Sequence, residues 1–216
     1  MSPRSRHSDV RLVGLVFCQP HSKFAKEEIL PALRYFNLRS GERVNFYFAG
    51  YRQGNEAPPG DVMAVPPTDM PGWVFSARDF NGFREFLEKT TNWKYGGGSE
   101  LVLANSHYDS ELDDVYLDFK SAICISFERL KHDGALPDVG ILFEEIFRYA
   151  ETCNAVDPTW GFSDHAAQNL MGNALKSLVV SVLPKAFSQN AKTAFHFVSS
   201  NLGRNVFGKS TARANR

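Results

Sequence analysis

The chain has 216 residues, 43% hydrophobic and 22% charged, with 24 basic and 24 acidic side chains. That length and balance suit one domain able to bury a core without disulfides or metals. They exclude a disulfide scaffold, because the three cysteines (Cys18, Cys124 and Cys153) are sparse and far apart, and no apolar run approaches the roughly 18 residues that span a bilayer.

A reducing cytoplasm is the location that such cysteine usage implies. The charge is unevenly spread. Arg4 and Arg6 stand near the start without an acid beside them, and Arg204, Lys209, Arg213 and Arg216 do the same at the end. Setting those cations aside leaves 18 basic against 24 acidic residues, a net of −6. A mildly acidic body disfavours nucleic acid and leaves only the basic tail suited to an anionic partner.

In chain order, residues 10–18 (VRLVGLVFC) are apolar on both alternating faces, which predicts a central strand. The run is too short for a signal-peptide core with its cleavage site. Ser22 predicts a helix start, with Ile29, Leu33 and Phe36 on one face and a kink at Pro31. Residues 44–51 (VNFYFAGY) predict one continuous strand. Five prolines and three glycines make 52–72 a long loop, and 73–75 a short strand.

Ser76 and Asp79 have capping-box spacing, with Phe75 and Phe80 at the hydrophobic-staple positions, so a helix is predicted from there to about Trp93. Gly96, Gly97 and Gly98 end it, and 101–104 is a buried strand, with 115–119 a further extended stretch. Ser121 is expected to cap a helix through Lys131 carrying Ile123, Phe127 and Leu130 inward. Asp138 caps the next, with Leu142, Phe143, Ile146 and Tyr149 inward. Residues 152–165 read as irregular, and 166–183 as a helix with Leu170, Ala174, Leu178 and Val182 in one stripe.

The expected fold is therefore α/β: a mostly parallel or mixed four- to five-stranded sheet covered by helices, with a helical C-terminal third. The expected organisation is a flexible basic terminus over 1–9, a single domain over 10–187 and a weakly structured basic tail over 188–216.

Chemistry concentrates in three places. Cys18-Gln19-Pro20-His21 sits where a strand gives way to a helix start, and the unpaired N–H groups of a first turn favour a thiolate. Over about twenty residues this turn resembles the active-site turn of thioredoxin-like proteins, where Cys-x-Pro-x lies between a strand and a kinked helix. Here His21 replaces the second cysteine, and Pro31 comes ten residues after the motif. The resemblance implies Cys18 as a thiol nucleophile with His21 as its helper.

The second place is the acidic run His107, Asp109, Glu111, Asp113, Asp114 and Asp118, whose oxygens suit Mg²⁺ or Ca²⁺ but lack the spacing of an EF-hand. The third is Trp160, Phe162, Asp164 and His165, an aromatic turn-rich segment suited to walling a pocket or docking a partner.

The glycine triplet follows a helix and precedes a strand, the reverse of a phosphate-binding loop. No Gly-x-Ser-x-Gly, His-Glu-x-x-His, Walker or Gly-x-Gly-x-x-Gly pattern occurs. No cofactor and no metal site is expected. The leading expectation is a non-catalytic interaction or accessory subunit with a protein partner and no membrane association. The Phe-bearing basic tail, with Phe195, Phe197 and Phe207, supports it. The alternatives are a thiol-dependent enzyme or redox protein using Cys18, and a metal-assisted hydrolase using His107, Asp109, Asp113 and Asp118.

Overall fold

The computed structural model describes residues 10–40, 44–54, 63–65, 72–109, 114–153, 157–159, 161–162 and 195–198. Helices pack on a five-stranded mixed sheet, an α/β-like arrangement. Its strands are β1 (Val10–Phe17), β2 (Val44–Phe48), β6 (Glu100–Asp109), β7 (Asp114–Ser126) and β8 (Phe195–Val198), in the order β2-β1-β6-β7-β8. Only β1 and β2 run parallel; β6, β7 and β8 each join antiparallel. A smaller antiparallel sheet holds β3 (Tyr51–Gln53), β4 (Met63–Ala64) and β5 (Trp73–Phe75) in the order β3-β5-β4.

β1 is central because it is apolar on both faces. Leu12, Val13, Leu15, Val16 and Phe17 are all buried. One face receives α1 (Leu33–Ser40) and α4 (Val139–Thr152). There Phe143 stacks on Phe36 at 4.0 Å between ring centroids and meets Phe46 at 4.9 Å. Gly14 lets Phe46 lie across β1, since a Cβ on Gly14 would come within 2.4 Å of that ring. A glycine inside a strand here marks a close approach. On the other face Phe17 packs against Trp93, Phe83 and Phe80, beneath α2 (Ala77–Thr90).

The helix starts follow the sequence. Ser76 Oγ accepts from the Asp79 N–H at 3.1 Å, and the staple rings of Phe75 and Phe80 lie 5.6 Å apart. Asp138 accepts from the Gly140 N–H at the head of α4, whose Leu142, Phe143, Ile146 and Tyr149 are buried. Ser22 Oγ accepts from the Ala25 N–H at 3.0 Å. The expected single kinked helix is instead broken into a wide π turn (Ala25–Ile29), a 3₁₀ turn (Leu30–Ala32) and α1. Pro31 lacks the N–H that a continuous helix requires at that point.

Two further expectations are corrected. The strand expected over 44–51 stops at Phe48; Gly50 takes φ +79° and turns the chain into the small sheet. The helix expected from Ser121 is the second half of β7, and α3 (Phe127–His132) begins only after Ser126. Residues 122–125 (AICI) are buried on both faces, so β-branched residues win there over a helical spacing. Of the acidic run, His107, Asp109, Asp114 and Asp118 lie on the paired ends of β6 and β7. Phe195–Val198, within the expected tail, pairs with Ala122–Ile125 of β7. The helix expected over 166–183 lies outside the described residues.

Replacing Gly14 by alanine should displace the Phe46 ring and cost about 1–3 kcal/mol, as overpacking does. Urea unfolding measures this, and an unchanged midpoint would contradict the packing described.

Candidate functional site

α2 covers only the half of its sheet face near the C-terminal end of β1. Strand alternation brings Arg11, Val13 and Leu15 of β1, Asn45 and Tyr47 of β2, Ser106 and Tyr108 of β6, and Val115 and Leu117 of β7 to the other half. These residues floor a cleft of about 1160 Å³, walled by Tyr51, Arg52, Asp79 and Phe83. Val13, Leu15 and Leu117 are buried at its base. Tyr47, Tyr108 and Val115 expose 57%, 49% and 49% of their surface, so large apolar groups from three strands face one opening. Arg52 and Asp79 form an ion pair that ties β3 to the first turn of α2. The Ser106 hydroxyl donates to the Arg11 carbonyl at 3.3 Å. An apolar floor with polar groups at the margin is the usual make-up of a binding cleft.

Cys18 follows β1 directly, ahead of the broken helix, as the Cys-x-Pro turn implies. Its surroundings oppose a working thiol. The side chain is fully buried, and burial pushes its pKa up to about 12, outweighing the lowering effect of its contact with Tyr51. Cys18 Sγ lies 3.8 Å from Tyr51 Oη, and that hydroxyl donates to the Cys18 carbonyl at 3.1 Å. His21 is exposed in the following turn. The local field of a helix start is thus outweighed by desolvation of the thiolate.

The acidic run is split by its hairpin. His107 stacks on Tyr116 at 5.1 Å, and His107 Nε2 lies 3.8 Å from Asp118 Oδ2. Asp113 and Glu111 lie outside the described residues. No three His, Cys, Asp or Glu side chains among the described residues are grouped to hold a metal ion.

On the helix-covered face, the buried Asn105 amide donates to Asp157 at 2.8 Å. Its oxygen accepts from the Thr159 N–H and hydroxyl at 3.0 and 2.7 Å. That clasp holds Phe162, buried and 5.5 Å from Tyr149, against α4. Phe162 is therefore core. Trp160, Asp164 and His165 lie outside the described residues.

A second buried polar group stabilises the base of α2. Glu100 accepts from Trp93 Nε1 at 2.9 Å and from the Gly96 N–H at 2.8 Å, close to Cys124 Sγ at 3.8 Å. Glu128 accepts from the Ser99 N–H. The glycine triplet thus wraps two carboxylates, which explains its place between helix and strand. Burial raises the Glu100 pKa, its hydrogen bonds notwithstanding.

No protein-family model, curated protein or solved structure matches the chain.

The cleft residues Arg11, Asn45, Tyr47, Ser106 and Tyr108 were not found from sequence. Their signal is polar or amphipathic residues at alternate positions within otherwise apolar strands.

Two outcomes follow from the buried groups. Native Cys18 should react with iodoacetamide on the order of a thousandfold more slowly than a free thiol, in step with its lost thiolate fraction, and His21→Ala should leave that rate unchanged. Rapid native labelling at Cys18 that slows in His21→Ala would restore the thiol reading. Because folding raises the Glu100 pKa, this carboxyl favours folding below the unfolded carboxylate range. That contribution is lost as pH rises through its folded value. The stability of the native chain relative to Glu100→Gln should therefore fall with rising pH across that window, and denaturation curves showing the opposite slope would contradict it.

Proposed function

We propose that the chain is a non-catalytic interaction subunit, and that the cleft on the half of the sheet that α2 does not reach is where a partner protein docks. The supporting observation is the convergence of Tyr47, Tyr108 and Val115, three of the large exposed apolar side chains, on one opening above a buried aliphatic floor. Aromatic anchors over a desolvated base are the features that carry energy in protein interfaces. The fully buried, proton-holding Cys18 supports the same reading by weakening the thiol alternative. The His107–Asp118 pair supplies an acid–base couple for the hydrolase alternative but no third group beside it among the described residues.

Tyr108→Ser with Val115→Ser tests this directly, since both side chains are about half exposed and their loss should spare the fold. Affinity capture from the native cell extract, scored by mass spectrometry, should recover a reproducible partner with the wild-type chain. The double variant should recover at least tenfold less at an unchanged melting temperature. Equal recovery by both would remove the cleft as the docking surface.

A further inference from the structure

β2 is an edge strand with nothing in its sequence to keep another strand away. Among the described residues the main sheet places it outermost, hydrogen-bonded to β1 alone. The strand at the opposite edge is β8, which lies along Ala122–Ile125 of β7. Natural edges are blunted by lysine, proline or bulges, and Val-Asn-Phe-Tyr-Phe has none of these.

The direction of the open groups can be read from one bond. The Ala49 N–H donates to the Val16 carbonyl at 2.9 Å, toward β1. Strand alternation then turns the N–H and C=O groups of Asn45 and Tyr47 inward as well. Those of Val44, Phe46 and Phe48 point outward, and among the described residues no backbone partner meets them.

We propose that β2 pairs edge to edge, antiparallel, with β2 of a second copy of this chain, centred on Phe46, so that one sheet runs through a two-fold dimer. The outward groups fit this register. Phe46 faces the second copy's Phe46, and Val44 faces the second copy's Phe48, each pair exchanging both N–H···O bonds. Asn45 faces the second copy's Tyr47 in the closer, non-bonded positions between them. Every facing pair is uncharged, so the axis brings no like charges together. An isologous interface needs a patch complementary to itself, and this strand is one. The pairing also covers Tyr47, the most exposed aromatic side chain among the described residues. It reaches beyond the partner-docking reading and is tested without it.

The test is light scattering coupled to size exclusion, with sedimentation equilibrium, on the full chain from about 1 to 200 µM, a range that spans weak to moderate affinity. The wild type should pass from monomer to dimer. Asn45→Lys with Tyr47→Lys sets cation against cation across the axis and should weaken dimerisation at least tenfold. Asn45→Lys with Tyr47→Glu sets cation against anion in the same places and should restore it. Both positions are exposed, and circular dichroism confirms that the fold survives. A wild type that stays monomeric throughout would overturn the proposal. So would a dimer indifferent to the paired lysines, or one that the lysine–glutamate combination fails to recover.

Discussion

β1 has to bury both of its faces at once, and the rest of the fold is arranged to let it. Its register with β2 on one side and β6 on the other fixes which residues look toward α1 and α4 and which look toward α2. A shift of one residue would exchange Leu12, Gly14 and Val16 for Arg11, Val13 and Leu15, carrying a charge into the Phe36–Phe46–Phe143 stack. Gly14 enforces the correct pairing, because only a residue without a side chain lets Phe46 cross the strand. Each buried aromatic adds transfer free energy of about 1.5–3 kcal/mol, so these ring stacks are a main source of stability.

The two faces are not treated alike, and the asymmetry is what opens the cleft. α1 and α4 cover their face over β1 and β2. α2 spans only the part around Phe17, held there by the Ser76 cap, the Phe75–Phe80 contact and the Glu100 hydrogen bonds. The small sheet, turned out of the main one at Gly50, walls the remaining half and leaves the cleft. Buried polar groups go to positioning: Asn105 clasps the 157–159 segment, and Glu128 with Glu100 shapes the glycine turn. The buried Cys18 thiol contacts Tyr51 at the junction of the two sheets.

Much of the frame was legible from short-range signals. The apolar run at β1, the Ser76–Asp79 spacing and the Asp138 cap are local physics, and each gave the element found. Where long-range pairing decides the outcome, sequence reasoning failed. Ile123 and Phe127 have helical spacing, yet β6 offers residues 122–125 a ladder partner, and β7 forms. Gly50 stood inside an otherwise strand-like run, and its turn was passed over. The cleft was invisible for the same reason: Arg11, Asn45, Ser106 and Tyr108 are scattered along the chain and meet only through strand order. Asn45 and Tyr47, alternating with Val44, Phe46 and Phe48, were the readable hint of a half-open face. Cys18 drew attention through its neighbours in sequence, whereas its chemistry is set by burial, which sequence reports poorly.

Residue-resolved hydrogen exchange on dilute protein tests the central claim most directly. If β1 anchors the sheet, amides from Leu12 to Phe17 and their β6 partners should exchange only through global unfolding. Within β2, Asn45 and Tyr47 should be protected and Phe46 should exchange readily, as an open edge requires. Rapid exchange throughout β1, or protection in β2 with the opposite alternation, would contradict the account.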